Sequence, residues 1–327
     1  MRRTNLPRGV IKSSPDKFMV QEIVTNGGGK PFVVPFCRKS NIRGKNHDAP
    51  VTLFELTKSG WAHESAIRLV ANHLNVELSA ISGHGMKDRH ALTSQRLGVA
   101  GEFAPQFDHD TMWLRQVGSA PKALRRGGNA GNRFHIFVAS DARKIDHELL
   151  AEVPNYFGVQ RIGSKWECEI GKMLLEGDYI AAAQRLAALV MPAAKVYRNA
   201  MASTKNWKSA WLHTSMQFQF DFLVQKWQSF LWNKLLEECL TLMLPEALPM
   251  WSPEWSELYS GLWSPGVLDA EALARLRSFE RSTIIKPGNM MFRREPHGWW
   301  FEFNLQPGAY ATVVLGRVFD LAEPARG

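Results

Sequence analysis

Alternating polar and apolar residues predict β-strands in the first part of the chain. Residues 15–24 alternate near their end, and residues 51–58 and 133–139 have the same strand-like character. Glycines are concentrated at 26–31 and 127–132, which predicts turns or loops there. The early part of the chain is therefore expected to contain a sheet.

A helical spacing follows the second predicted strand. Ala66, Ile67, Val70 and Leu74 lie at i, i+1, i+4 and i+8, so they share one face of a helix. This spacing predicts an amphipathic helix.

The pattern changes after about residue 150. Residues 172–190 and 226–243 have the composition and periodicity of helices. Seven tryptophans lie between these segments, within the second or beyond it: Trp207, Trp211, Trp227, Trp232, Trp251, Trp255 and Trp263. Residues 299–319 return to β character and predict two strands around a Gln306–Pro307–Gly308 turn. The order suggests a mostly helical domain with an aromatic core, inserted into a β-containing domain built from both chain ends.

Composition narrows the class of protein. The 327 residues are 45% hydrophobic and 22% charged, as expected of a globular chain. No apolar run approaches the roughly 20 residues that span a bilayer, and the amino terminus lacks a signal-like apolar region, so we expect a cytoplasmic protein. Cys37, Cys168 and Cys239 form no CxxC pair, and the histidines show no ligand spacing, so neither disulfides nor a metal are expected.

The charge is unevenly distributed along the chain. Residues 1–145 hold 22 lysines and arginines against 11 acidic residues, whereas residues 146–327 hold 18 against 20. A basic amino-terminal half suggests a surface that binds a polyanion such as nucleic acid. Ordinary surface lysine and arginine is the alternative, and composition does not choose between them.

The segment 83–95 has the most unusual chemistry. Asp88 lies between Lys87 and Arg89, two cations that would favour an ionised carboxylate and could hold phosphates on either side of a nucleotide. Thr93 and Gln95 alternate in phase and could present a hydroxyl and an amide to the same side. A solvated polar turn explains the same spacing equally well.

This segment resembles the signature of TruD-type pseudouridine synthases, Gly-x-Lys-Asp followed by Ala-x-Thr-x-Gln. The matching positions are Gly85, Lys87, Asp88, Ala91, Thr93 and Gln95. The resemblance implies that Asp88 is the catalytic carboxylate.

Four further segments resemble the family in the same order. They are 10–22 (with Lys12, Pro15, Phe18, Val20 and Glu22), 131–134 (with Asn132 and Phe134), 154–163, and 305–315. The resemblance implies that Lys12 lies beside the aspartate, that Phe134 stacks on an unstacked base, and that Asn132 contacts a neighbouring polar group. The full set of residues implied to bind substrate is Lys12, Phe18, Glu22, Lys87, Arg89, Thr93, Gln95, Asn132 and Phe134.

Three departures from the family pattern stand out. Ile162 replaces a phenylalanine, which we interpret as a packing change. Gly316 and Arg317 stand where the family usually has Arg-Glu, and His63 replaces a common threonine, which weakens an expected N-cap.

The resemblance implies an α+β fold: a pseudouridine-synthase core with a mixed, mainly antiparallel sheet and helices, plus a mostly helical insertion domain. We expect the catalytic domain at 1–154 and 301–327 and the insertion at 155–300. The implied activity is isomerisation of a flipped-out uridine, uridine 13 of tRNA being the usual bacterial target. No cofactor, nucleotide or membrane is expected, and a monomer is the default. The same chemistry on another RNA site and a catalytically silent RNA-binding protein are the alternatives.

Overall fold

The chain folds into two compact units. The computed structural model describes residues 6–25, 29–44, 49–189 and 192–324. The first unit combines Met1–Val153 with Lys286–Gly327, and the second is Pro154–Ile285. The chain thus returns to the first unit at residue 286, earlier than the predicted boundary at 300. The reason is that residues 288–305 form strands of the first unit's sheet.

Eleven strands of the described residues form the sheet of the first unit. These strands are β1 Arg8–Val10, β2 Phe18–Thr25, β3 Pro31–Val33, β4 Val51–Ser59, β5 Ile81–Gly83, β6 Leu92–Ala100, β7 Met112–Ala120, β8 Gly131–Ala139, β13 Gly288–Glu295, β14 Gly298–Leu305 and β15 Asp320–Ala322. The main order is β13-β14-β8-β2-β6-β4-β7. Only the pairs β2–β6 and β1–β15 are parallel among these strands, which confirms the predicted mixed, mainly antiparallel sheet.

The early strand predictions are confirmed with shifted ends. β4 and β8 match the predicted strands at 51–58 and 133–139, but β2 starts only at Phe18 because Pro15–Lys17 forms a 3-10 turn. Gly131 and Asn132, predicted as turn, already belong to β8. Residues 26–28 of the predicted glycine-rich turn lie outside the described residues.

Helix α1, His63–Leu74, covers one face of this sheet. Ala66, Val70 and Leu74 are buried against sheet residues such as Leu56 and Leu97, which confirms the predicted amphipathic helix. Its N-cap is Ala62, which gives no side-chain cap, and His63 is the first helical residue.

The second unit is mostly helical. Its helices are α2 Val159–Ile162, α3 Lys165–Leu175, α4 Tyr179–Ala187, α5 Pro192–Thr204, α6 Trp207–Leu212, α7 Gln217–Cys239 and α8 Ala270–Leu273. The second unit also contains the short strands β10 Ala247–Pro249, β11 Glu280–Ser282 and β12 Ile284–Ile285, and β10 pairs with β11. Strand β9, Val153–Pro154, lies at the boundary between the two units.

Two helix predictions in this unit need correction. Residues 172–190 do not form one helix, because Gly177 adopts the left-handed conformation (φ 74°) and separates α3 from α4. The helix predicted at 226–243 begins nine residues earlier, at Gln217, and ends at Cys239. Aromatic residues lie on more than one side of this helix, among them Phe218, Phe222 and Trp227. The hydrophobic periodicity therefore did not identify its first residue.

An aromatic core holds the second unit together, although not all seven tryptophans belong to it. Trp211, Trp232 and Trp251 are fully buried, whereas Trp207 and Trp255 are exposed. Helices α3 and α7 meet at Gly171, where an added Cβ would lie 2.1 Å from the Leu223 carbonyl oxygen. This close approach requires glycine.

The carboxyl-terminal prediction was wrong in its second half. After β14, residues 311–315 form a short helix, α9 Ala311–Leu315, rather than a strand. The chain then continues to β15, which pairs in parallel with β1 and so brings residues 8–10 beside residues 320–322. Within the described ranges, no helix is long and apolar enough to cross a membrane.

Candidate active site

Asp88 lies in the loop between β5 and β6, at one end of the central strands of the first unit. The Gly127 amide donates to the His84 carbonyl oxygen at 2.6 Å, which ties this loop to the β7–β8 connection. The Asp88 side chain keeps 22% of its surface exposed, and its Oδ1 lies 3.4 Å from Lys12 Nζ. A partly exposed carboxylate is thus paired with a nearly buried ammonium group.

Lys12 is held in place by several neighbours. Its backbone is left-handed (φ 57°), which is uncommon outside glycine, and it lies two residues after the end of β1. Its Nζ lies 4.9 Å from the centre of the Phe18 ring and 2.9 Å from Glu323 Oε1. Lys12 therefore contacts two carboxylates, one from the loop and one from the carboxyl-terminal segment.

Lys58, at the end of β4, lies beneath the same loop. It is fully buried, and its Nζ donates to the main-chain oxygens of Asp88 at 2.6 Å and Trp61 at 2.8 Å. Burial lowers the pKa of Lys58 to about 8, and Lys87 lowers it further while Asp88 opposes the shift. The sequence analysis did not single out this residue.

Lys87 and Glu22 form a buried ion pair beside Asp88. Lys87 Nζ lies 2.7 Å from Glu22 Oε1, and Glu22 Oε2 accepts from the Arg96 backbone amide at 2.9 Å. Glu22 is fully buried. The expectation that Lys87 and Arg89 hold phosphates on either side of Asp88 therefore needs correction. Lys87 is directed inward to Glu22, and Arg89 is the exposed cation of the two.

Strand register places the other predicted residues in adjacent rows on one face of the sheet. Lys58 faces Thr93, Thr93 faces Val20, and Val20 faces Phe134 across β4, β6, β2 and β8. In the next row Glu22 of β2 faces Asn132 of β8. Gln95 follows Thr93 by two residues and shares its face. The sheet thus collects side chains from four strands that are distant in sequence.

Phe134 packs against Phe303 of β14 with ring centroids 5.6 Å apart and an interplanar angle of 25°. It retains 7% of its surface exposed. Gly131 allows β8 to approach β14 here, since an added Cβ would meet the Leu305 carbonyl oxygen at 2.4 Å.

Several buried polar atoms on this face have no hydrogen-bond partner among the described residues. They are His63 Nδ1, Thr93 Oγ1, both amide atoms of Gln95, and Asn132 Oδ1. Buried polar groups are normally hydrogen-bonded, and those without partners are concentrated where a ligand or water would satisfy them. Such a group of atoms beside an exposed carboxylate indicates a binding site.

His63 at the start of α1 faces the same cluster. Its burial lowers the pKa of His63 to about 4, and the positive charges of Lys58, Lys87 and Arg126 act in the same direction. The adjacent Gln95 amide opposes this, although no well-aligned hydrogen bond joins the two side chains. The imidazole is therefore neutral at physiological pH.

The structure brings the predicted residues together but buries several of them. Phe18, Glu22, Thr93 and Gln95 are almost fully buried, so Phe18 and Glu22 support Lys12 and Lys87. Sequence reasoning missed Lys58 and Glu323. A lysine at the end of the predicted strand 51–58 was the available signal for Lys58, whereas no local signal marked Glu323.

The architecture defines the class of protein to which the chain is similar. A crystal structure of a Methanosarcina mazei protein assigned as a tRNA pseudouridine synthase D (TruD) matches with a TM-score of 0.57 and 18% identity, over 97% of this chain and 94% of that one. The fold is therefore that of a TruD protein. The family model for tRNA pseudouridine synthase D (TruD) matches residues 3–221, and the chain belongs to this family.

Curated relatives agree with this assignment. The probable tRNA pseudouridine synthase D of Pyrococcus abyssi is 32% identical over 188 residues, covering 54% of this chain and 42% of that protein. The probable tRNA pseudouridine synthase D 1 of Methanococcus maripaludis is 26% identical over 242 residues, covering 59% and 61%. The chain thus spans about half the length of the curated relatives that it matches.

Proposed function

We propose that this protein is a tRNA pseudouridine synthase in which Asp88 is the catalytic carboxylate. The observation that carries the proposal is the Lys12–Asp88 pair at 3.4 Å, with the aspartate partly exposed and buried polar atoms without partners beside it. Family membership supports the same reading.

The chemistry requires little beyond such a carboxylate. Pseudouridine formation breaks the bond between ribose C1′ and uracil N1, rotates the base, and rejoins it through C5. The base must first leave the helical stack, because its reacting atoms are inaccessible there. An ionised aspartate can then act at the sugar or the base, or remove a sugar proton, while the glycosidic bond breaks. Lys12 would keep that carboxylate charged and oriented.

The surrounding residues fit a flipped base. Uracil would stack on the exposed margin of Phe134, since aromatic rings are the usual platform for unstacked bases. The partnerless oxygen of Asn132 would accept from a neighbouring polar group. Thr93 and Gln95 would complete the polar surroundings, and exposed Arg89 would contact phosphate.

The proposal extends to the domains and the target. We assign the first unit as the catalytic domain and the second as the insertion domain that helps to hold tRNA, with uridine 13 as the target and a monomeric enzyme. The basic amino-terminal half would supply phosphate contacts.

Mapping pseudouridine by carbodiimide labelling tests the proposal directly. The purified protein is incubated with unmodified tRNA, and Asp88→Asn serves as the control. A new pseudouridine at position 13 that is absent with the variant supports activity, target and residue together. Pseudouridine elsewhere retains the chemistry and changes the target. No product in any RNA tested, with binding intact, favours a silent RNA-binding protein.

A further inference from the structure

The ammonium group of Lys58 has an unusual environment for a fully buried lysine. Among the described residues it forms no ion pair within salt-bridge distance, and its hydrogen bonds go to two main-chain oxygens, of Asp88 and Trp61. Burying a charge without a directly paired carboxylate is costly. Such a cost indicates a role that an apolar side chain could not fill.

We propose that Lys58 is a positioning residue, which fastens the backbone of the catalytic aspartate to the sheet and holds a positive charge beneath it. The inference rests on the proposed function, because it concerns how Asp88 is held for that reaction. Lys58 itself is not expected to touch the substrate.

The geometry shows how Lys58 could do this. β4 ends at Ser59, and Trp61 lies in the turn that leads into α1, so Lys58 bonds simultaneously to its own turn and to the β5–β6 loop. Lys12 contacts the Asp88 carboxylate, while Lys58 contacts the Asp88 carbonyl oxygen. Lys12, from the β1–β2 connection, and Lys58, from β4, thus hold the aspartate by its side chain and by its backbone.

The shape of the lysine side chain suits this role. A methionine of similar length would fill the space but donate no hydrogen bond. Lys58 lies in the row that contains Thr93, Val20 and Phe134, so its position is determined by the strand register rather than by a loop. Residues held by regular strands position a site more precisely than residues on loops.

The charges around Lys58 give the role a pH dependence. Asp88 and Lys87 face it from the loop, and His63, kept neutral by burial, faces it from α1. The pKa of Lys58 is lowered to about 8, so the protonated form predominates below that pH and is lost above it. If the charged form positions Asp88, the rate should fall as pH rises through about 8.

The test compares kinetics on tRNA for the wild type, Lys58→Met and Lys58→Arg. Lys58→Met should lower kcat by about 10²-fold, the scale of effect expected from misplacing a reacting group, with KM within about threefold. Lys58→Arg, which retains the charge, should recover part of kcat and lose the decrease above pH 8. Both enzymes see the same substrate, so titration of uracil itself cannot produce that difference.

Lys226→Met is the matched control. Lys226 is also buried, but it lies in the second unit and pairs with Glu167 at 2.5 Å. Its replacement should lower thermal stability without changing the pH dependence of kcat. If Lys58→Met retains kcat and the alkaline decrease, the inference is overturned while the proposed function stands. If Lys58→Met unfolds, the pH profile of Lys58→Arg decides: an unchanged alkaline decrease overturns the inference.

A second measurement separates this inference from the proposed function. Titration of isotopically labelled lysine by NMR should show Lys58 losing its proton near pH 8, and at a lower pH in Asp88→Asn because the opposing carboxylate charge is removed. If the wild type makes no pseudouridine but this coupling appears, the proposed function fails and the Lys58–Asp88 coupling remains. An unchanged titration in Asp88→Asn counts against the inference whatever the activity.

Discussion

The two units of the protein bury charged side chains in different ways. In the second unit, Arg281 is enclosed by its partners: it donates to the Asn155 side chain at 2.6 Å and lies 4.1 Å from the Phe157 ring centre. In the first unit, Lys12 approaches the partly exposed Asp88 from the β1–β2 connection and Lys58 approaches it from β4. Arg281 thus stabilises packing in the second unit, whereas Lys12 and Lys58 surround a partly exposed group in the first unit.

This difference separates structural motifs from chemical ones. The segment 154–163 resembles the TruD family as clearly as the segment around Asp88, yet its Asn155 holds Arg281 and its Phe157 amide donates to Asn233. Those contacts account for the motif by packing. We interpret a motif as functional when its buried charged side chains surround a solvent-accessible group, as around Asp88. We interpret it as structural when each charged side chain has a partner within the same packed region, as for Arg281.

The two units also differ in net charge. Residues 154–285 contain 13 lysines and arginines and 13 acidic residues, so the net charge of +9 belongs to the first unit. The unit that holds the candidate site is therefore also the one expected to attract RNA.

The largest expected difference between the units concerns their aspartates. If Asp88 is the catalytic carboxylate as proposed, Asp88→Asn should lower kcat by at least about 10³-fold with RNA affinity within a few-fold, because it removes the group that acts on the substrate. Asp269→Asn is the matched change in the second unit, where the carboxylate binds Lys208 and Tyr179. Single-turnover assays should find its rate within a few-fold of wild type. Equal losses in both variants would argue against a special role for Asp88.

Breaking a buried ion pair should reduce the free energy of unfolding more than breaking an exposed ion pair. Glu22→Gln leaves the Lys87 ammonium buried without its partner and should reduce the free energy of unfolding by about 3–5 kcal/mol. Glu237→Gln breaks the exposed Lys234–Glu237 pair of α7 and should cost less than about 0.5 kcal/mol. Urea unfolding measures both. Similar costs would mean that Lys87 finds water or another partner.

Acid should destabilise the first unit through His63. The pKa of His63 is lowered to about 4 in the folded protein, so between about pH 6.5 and 4 the unfolded chain binds a proton that the folded chain does not. The free energy of unfolding should therefore fall as pH falls through that window, by up to roughly 3 kcal/mol. His63→Gln should remove this part of the pH dependence. Parallel curves for both proteins would show that His63 is accessible to a proton.

The smallest expected difference between the two units concerns the salt dependence of RNA binding. Arg125→Gln with Arg126→Gln removes two exposed cations near the β5–β6 loop that carries Asp88, and should reduce the slope of log affinity against log salt by about 0.7–0.9 for each lost phosphate contact. Lys195→Gln with Arg198→Gln makes the matched change in the electrically neutral second unit. Filter-binding titrations should find a smaller change for that pair. A larger change there would place the main phosphate contacts in the second unit.

Hydrophobic periodicity correctly predicted the helices and strands that bury only one face. The spacing of Ala66, Val70 and Leu74 predicted α1 because that helix buries a single stripe against the sheet. The pattern failed where burial was not one-sided: α7 is buried on much of its circumference, so its start was placed nine residues too late. Residues 311–315 are rich in β-branched residues but form a helical turn, because tertiary contacts override such weak propensities.

The candidate site was only partly predictable for a similar reason. Resemblance to the family indicated Asp88, Lys12, Asn132 and Phe134. Strand register places Asn132 and Phe134 in adjacent rows of β8, whereas Asp88 and Lys12 lie in loops that the register does not describe. The direction of each side chain could not be predicted. Lys87 and Arg89 are both cations next to Asp88 in the sequence, yet Lys87 is directed to Glu22 and Arg89 is exposed.

The sequence by itself determined the family, the α+β class and the residues that carry the proposed chemistry, because these depend on residue type and on local spacing. Only the tertiary structure decided which of them meet. Lys58 reaches Asp88 from a strand 30 positions away, and Glu323 reaches Lys12 because β15 pairs with β1. The physical reason is that burial and hydrogen-bond partners depend on which strands become neighbours, and that pairing is a property of the whole sheet.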